Sequence, residues 1–202
     1  TVGFKYNGIF GSGASAQKQP IAVALLPVEG EPVHRTKPQI HHMEVSGNRI
    51  TPAFSTAQLD DRIVFVNTDS VYHQLFSISQ DIPFDVTLGK TDSGKPTQAS
   101  IKLDKTGTVH IFCRIHNKSY ARIDVLETPY QQMIGSGQPF YFANLEAGRY
   151  QLRIASPAAE TLLIPVDAVT SPPPLELELG FHGGNTTFNN LGMSPAVDRM
   201  YP

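Results

Sequence analysis

The sequence predicts an all-β protein whose strand spacing reads as an antiparallel sandwich or barrel. Three observations predict it. Gly and Pro number 16 each, and they punctuate short runs rich in Val, Ile, Phe, Leu and Tyr. Within the runs, apolar and polar residues alternate, as in Ile101-Lys102-Leu103, Val109-His110-Ile111 and Tyr150-Gln151-Leu152-Arg153-Ile154. Period two is the mark of a strand with one buried face. No segment carries an apolar stripe of helical period and adequate length, which leaves room only for short helical turns near residues 55–60.

Residues 1–20, rich in Gly, Ser, Ala and Gln, form a loose arm or an edge strand. IAVALLPV (21–28) is a strand, and EGEPVHRTKPQI (29–40) is a linker or crossing loop without periodicity. Residues 1–40 are thus an arm and a strand that join one of the sandwiches. The first module, residues 41–127, contains DRIVFVNTD (61–69), HQLFSIS (73–79), ASIKLD (99–104), GTVHIFC (107–113) and YARIDVLE (120–127). PYQQMIGSGQP (129–139) breaks the pattern and marks a boundary. The second module, residues 128–181, contains PFYFANL (139–145), GRYQLRIAS (148–156), ETLLIPV (160–166) and LELELGF (175–181), interrupted by SPPP (171–174). Residues 182–202 are polar and patternless, an extended tail lying on the surface or on a partner.

The chain has 202 residues, enough for one large or two small domains, each able to bury a core. A formal net charge of −2 points to neither nucleic acid nor a membrane surface as partner. No apolar run of about 18 residues exists, so no membrane span is expected. A single cysteine allows no internal disulfide and leaves one thiol to explain. The chain opens at Thr1 rather than Met, as expected of an exported or periplasmic protein whose leader has been removed.

That thiol is Cys113, in IFCRIHNKSY (111–120). Alternation along 107–113 puts Val109, Ile111 and Cys113 on one face and His110 and Phe112 on the other. Cys113 therefore points inward at the end of a strand, and His116, three residues on, can fold back from the loop beside the sulfur. His73, at the start of another strand, is the third candidate. Two imidazoles and one thiolate are the ligand set of a trigonal copper site. Zinc accepts the same donors, a Cys113 nucleophile with His116 as base is a further reading, and a buried thiol is the plain one. His41 and His42, with His34, are solvated loop histidines or a weaker second metal site.

The stretch from about 45 to 127 resembles a cupredoxin. The matching features are Ile50-Thr51-Pro52-Ala53-Phe54, the run Leu59 to Asp69, His73, Gly107-x-x-x-Ile111-Phe112-Cys113-x-Ile115-His116, and Ile123-Asp124-Val125. The chain is similar to bacterial plastocyanin-like proteins of the methylamine-utilisation type, in which a carboxypeptidase-regulatory-like β-sandwich follows. The stretch Gly137 to Leu152 fits that second module. The resemblance implies a Greek-key sandwich packed with a small second sandwich. It also implies one copper per chain on His73, Cys113 and His116, and non-enzymatic electron transfer to a redox partner protein. Phe112, beside the cysteine, takes the place of an aromatic on the electron route.

Two positions depart from that pattern. The family carries an axial Met after the second histidine, where this chain has Ser119, and an Asn after the first, where it has Gln74. The fourth donor is then a backbone carbonyl, water, Ser119, Tyr120, Glu44 or Met43. A copper carrier or sensor, and a copper site open to small molecules, are the alternatives to electron transfer.

Overall fold

The period-two runs fold as strands, and no helix forms among the described residues. The computed structural model describes residues 2–6, 19–28, 36–91, 94–157, 159–168 and 177–181. The chain divides into two compact units, one of residues 34–129 and one of residues 1–33 with 130–202. No helix among the described residues is long and apolar enough to cross a membrane.

Strands β1 (Val2–Tyr6) and β2 (Ile21–Pro27) belong to the unit built from the two ends of the chain. The 34–129 unit follows with β3 (Ile40–Ser46), β4 (Arg49–Thr51), β5 (Phe54–Gln58), β6 (Arg62–Asn67), β7 (His73–Ser77), β8 (Phe84–Leu88), β9 (Thr97–Lys102), β10 (Gly107–Cys113) and β11 (Tyr120–Leu126). The chain then re-enters the first unit through β12 (Gln131–Ile134), β13 (Gly148–Ser156), β14 (Ala159–Ala168) and β15 (Leu177–Phe181). There the sheet order is β1-β15-β14-β13-β2-β12, with β1 as a parallel edge strand. Ile21, Val23, Leu25, Leu152 and Ile154 fill its core.

In the 34–129 unit, a five-stranded sheet β5-β11-β10-β7-β8 faces a four-stranded sheet β4-β3-β6-β9. One apolar core draws on both: Met43, Val45, Ile63 and Phe65 from the smaller sheet, and Leu75, Leu88, Ile111, Cys113 and Ile123 from the larger. Burial of such side chains stabilises the unit by about 1.5–3 kcal/mol each before chain entropy is counted. Along β10, buried and half-buried residues alternate, so Val109, Ile111 and Cys113 face the core while His110 and Phe112 lie on the outer face.

Several local expectations are corrected. Residues 55–60 form no helical turn: Phe54–Gln58 is strand β5, parallel to β11. Its sequence has little strand character, and pairing with an apolar neighbour decides it. The boundary segment 129–139 contributes β12, which pairs with β2. PFYFANL is not a strand. Pro139 lacks a ladder donor, and Asn144 turns the chain with φ 54°. Phe140 and Phe142 instead pack from a loop onto the core. His41 and His42 lie on β3 rather than in a loop, and His41 Nε2 meets the buried Asp61 Oδ2 at 2.6 Å. His34, the tail 182–202 and SPPP lie outside the described residues.

Candidate metal centre

Strand direction assembles the site. β7 and β10 are antiparallel neighbours with Cys113 opposite Leu75, so the start of β7 lies beside the end of β10. His73, the first residue of β7, therefore comes next to Cys113, the last of β10. An Arg114 N–H bond to the Gln74 carbonyl, 2.9 Å, closes that end of the pair. β10 and β11 form a hairpin whose loop, 114–119, carries His116. The Ser119 N–H donates to the His116 carbonyl at 2.9 Å, which bends the loop back over the strand ends.

The structure brings His73, Cys113 and His116 together. Cys113 Sγ is 3.8 Å from His73 Nδ1 and 3.8 Å from His116 Nδ1. The two imidazole centroids are 4.7 Å apart, and one donor atom from each of the three residues lies within 4.8 Å of the others. Metal–sulfur bonds of about 2.3 Å and metal–nitrogen bonds of about 2.0–2.1 Å put S and N about 3.8 Å apart at a trigonal angle and about 3.6 Å apart at a tetrahedral one. The donor set and these two separations fit one metal ion held by all three residues. His73 is fully buried and His116 half-buried, so His116 is the histidine nearer solvent. Among the described residues, no other three His, Cys, Asp or Glu side chains gather this way.

A carboxylate stands behind His73. Its Nε2 is 2.9 Å from Asp69 Oδ2. Asp69 also accepts from the Gly47 N–H at 2.5 Å and the Ser46 hydroxyl at 3.4 Å. Burial opposes ionisation of Asp69, but the bonds from His73, Gly47 and Ser46 together outweigh it and hold its pKa below the ordinary value. Asn67, fully buried at the end of β6, organises the loop. Its Nδ2 donates to the Val71 carbonyl at 2.8 Å and the Gly89 carbonyl at 2.7 Å, and its Oδ1 accepts from the Asp69 N–H at 2.8 Å. The sequence places both in the run Leu59 to Asp69 but gives neither a role at the site. Their signal was present, because Asn and Asp just past a strand bond to nearby backbone and shape turns.

The four candidate fourth donors separate. Ser119 is buried, and its Oγ has no hydrogen-bond partner among the described residues. Met43 is buried in the core that includes Cys113. The expectation for Glu44 is corrected: alternation turns it to the exposed face of β3, where it accepts from the Thr68 hydroxyl at 3.0 Å. Tyr120 is corrected too. It pairs with Phe112 across the hairpin and so shares the outer face, and its hydroxyl lies 2.8 Å from His110 Nδ1. Burial pushes the Tyr120 pKa up to about 12. Burial, with Arg122 nearby, lowers that of His110. Phe112 lies between Phe76 and Tyr120, at centroid distances of 5.6 Å and 5.4 Å.

No family model matches the chain, and no curated protein does. Solved structures do resemble part of it. A reduced variant of amicyanin matches 42% of this chain and 79% of its own, at 13% identity and TM-score 0.34. A purple cupredoxin from Nitrosopumilus maritimus matches 42% and 97%, at 18% identity and TM-score 0.35. A Cu-containing nitrite reductase from Thermus scotoductus matches 50% and 25%, at 22% identity and TM-score 0.37.

Proposed function

We propose that the 34–129 unit is a cupredoxin-type copper protein that binds one copper ion through His73 Nδ1, Cys113 Sγ and His116 Nδ1 and serves in electron transfer. The observation that carries this reading is the pair of 3.8 Å separations from one thiol sulfur to two imidazole nitrogens. A thiolate with two imidazoles is the ligand set of a trigonal copper site, whereas structural zinc prefers a closed tetrahedron of four donors. Bound there, copper supplies a one-electron couple. The chain's residues supply a site that changes little between the two charge states. His73 and Cys113 are anchored on paired strands and braced by the core, and His116 faces outward as the point of electron entry. Phe112, beside Cys113 and in contact with Phe76 and Tyr120, offers a second route across the outer face. The orphaned Ser119 hydroxyl is the candidate fourth donor. The role fits an exported or periplasmic carrier that exchanges electrons with a partner protein. A copper carrier, or a site reacting with small molecules through an open fourth position, is the alternative.

The test is loading with Cu(II) followed by dialysis, metal analysis and optical spectroscopy. One copper per chain and an intense thiolate-to-copper absorption band are expected, both lost in Cys113→Ser. Stoichiometric copper retained by Cys113→Ser would overturn the assignment. Reversible one-electron voltammetry separates electron transfer from mere carriage.

A further inference from the structure

We propose that Asp69 is a positioning residue that fixes the tautomer of His73 and strengthens it as a donor. The effect on donor strength rests on the copper reading above; the tautomer does not.

The Asp69 carboxylate accepts from the Gly47 N–H at 2.5 Å and the Ser46 hydroxyl at 3.4 Å, and the His73 ring nitrogen Nε2 lies 2.9 Å from its Oδ2. An ionised carboxylate can only accept. His73 Nε2 therefore carries the ring proton, and the lone pair sits on Nδ1, the atom that faces Cys113 Sγ. The opposite tautomer would aim an N–H at the metal position and a lone pair at a negative oxygen.

Asp69 is itself held in place. Its N–H donates to Asn67 Oδ1 at 2.8 Å, and its carbonyl accepts from the Thr91 N–H at 2.7 Å. The Thr91 hydroxyl donates to the Asn67 carbonyl at 3.1 Å, and the Asn67 amide ties in Val71 and Gly89. The 67–73 loop is thus locked to the 46–47 turn and the 89–91 segment through the protein's own bonds. The ring of His73 is preset without help from a metal. Negative charge behind an imidazole also raises its electron donation, which favours the more highly charged metal state.

Two measurements test this. The first uses metal-free parent protein: the ¹⁵N and ¹H shifts of the His73 ring report which nitrogen is protonated. The Nε2–H tautomer is expected, and it becomes a mixture in Asp69→Ala. A dominant Nδ1–H tautomer in the parent would overturn the proposal. The second compares copper-loaded parent with Asp69→Asn, whose side-chain oxygen can still accept from Nε2–H but carries no charge. The ratio of Cu(II) to Cu(I) affinity should fall about tenfold, a rise of about 59 mV in the one-electron potential. Asp69→Glu, which restores the charge, should recover most of that shift. A role limited to shaping the loop would leave the potential of Asp69→Asn within twofold in affinity ratio, and that result also overturns the proposal. If the parent bound no copper, the copper reading would fail, while the tautomer measurement would still decide the role of Asp69.

Discussion

Ser119→Ala should act in opposite directions on the metal-free and copper-loaded protein. Ser119 is 1% exposed, and its Oγ has no hydrogen-bond partner among the described residues. The backbone N–H, which closes the 114–119 loop onto His116, is untouched by the substitution. A buried hydroxyl without a partner costs about 1–3 kcal/mol. Deleting one oxygen forfeits only a few dispersion contacts of about 0.1–0.2 kcal/mol each. The net gain for metal-free protein is therefore about 1 kcal/mol. For a unit the size of residues 34–129, that raises its Tm by about 4–8 °C. With copper bound, the same hydroxyl is a candidate donor, and its removal should reduce the stabilisation that copper confers. Scanning calorimetry on parent and variant, metal-free and loaded, measures all four corners of the cycle. A metal-free variant less stable than the parent would show that the hydroxyl has a partner and would refute the reasoning. An equal gain in both states would show that Ser119 does not face the metal, and the buried thioether of Met43 would become the donor to examine.

Tyr120 should give the protein an alkaline limit. Its pKa is raised to about 12 from 10.0, so the folded state keeps a proton that the unfolded state loses. The contribution is full below pH 10 and declines between pH 10 and about 12, by about 2–3 kcal/mol in all; in Tyr120→Phe, urea unfolding across that range should lose this part of the slope. Phe65→Ala should cost about 3–5 kcal/mol, because Phe65 is fully buried and in ring contact with Phe84 at 5.6 Å, measured as a drop in the urea midpoint.

The sequence by itself determined what depends on near neighbours. Period-two alternation along 107–113 was enough to point Cys113 inward and His110 and Phe112 outward, because successive side chains on a strand must alternate faces. The same rule located β10 and β13, short runs rich in apolar and β-branched residues located β2, β6, β7 and β11, and the residue types His73, Cys113 and His116 suggested a ligand set. Tertiary structure decided whatever depends on which strands become neighbours. His73 and Cys113 are 40 positions apart, and only the antiparallel pairing of β7 with β10 makes them adjacent. FSTAQ became a strand because β11 offered it an edge, and PFYFANL did not because its aromatics reached the core from a loop. Tyr120 follows the candidate ligand loop in sequence yet turns away from the metal position, since hairpin register seats it opposite Phe112. Asp69 could be read as a turn residue from its position. Its place behind His73 was fixed by bonds from Gly47, Ser46 and Thr91, contacts across two other segments that no local pattern encodes.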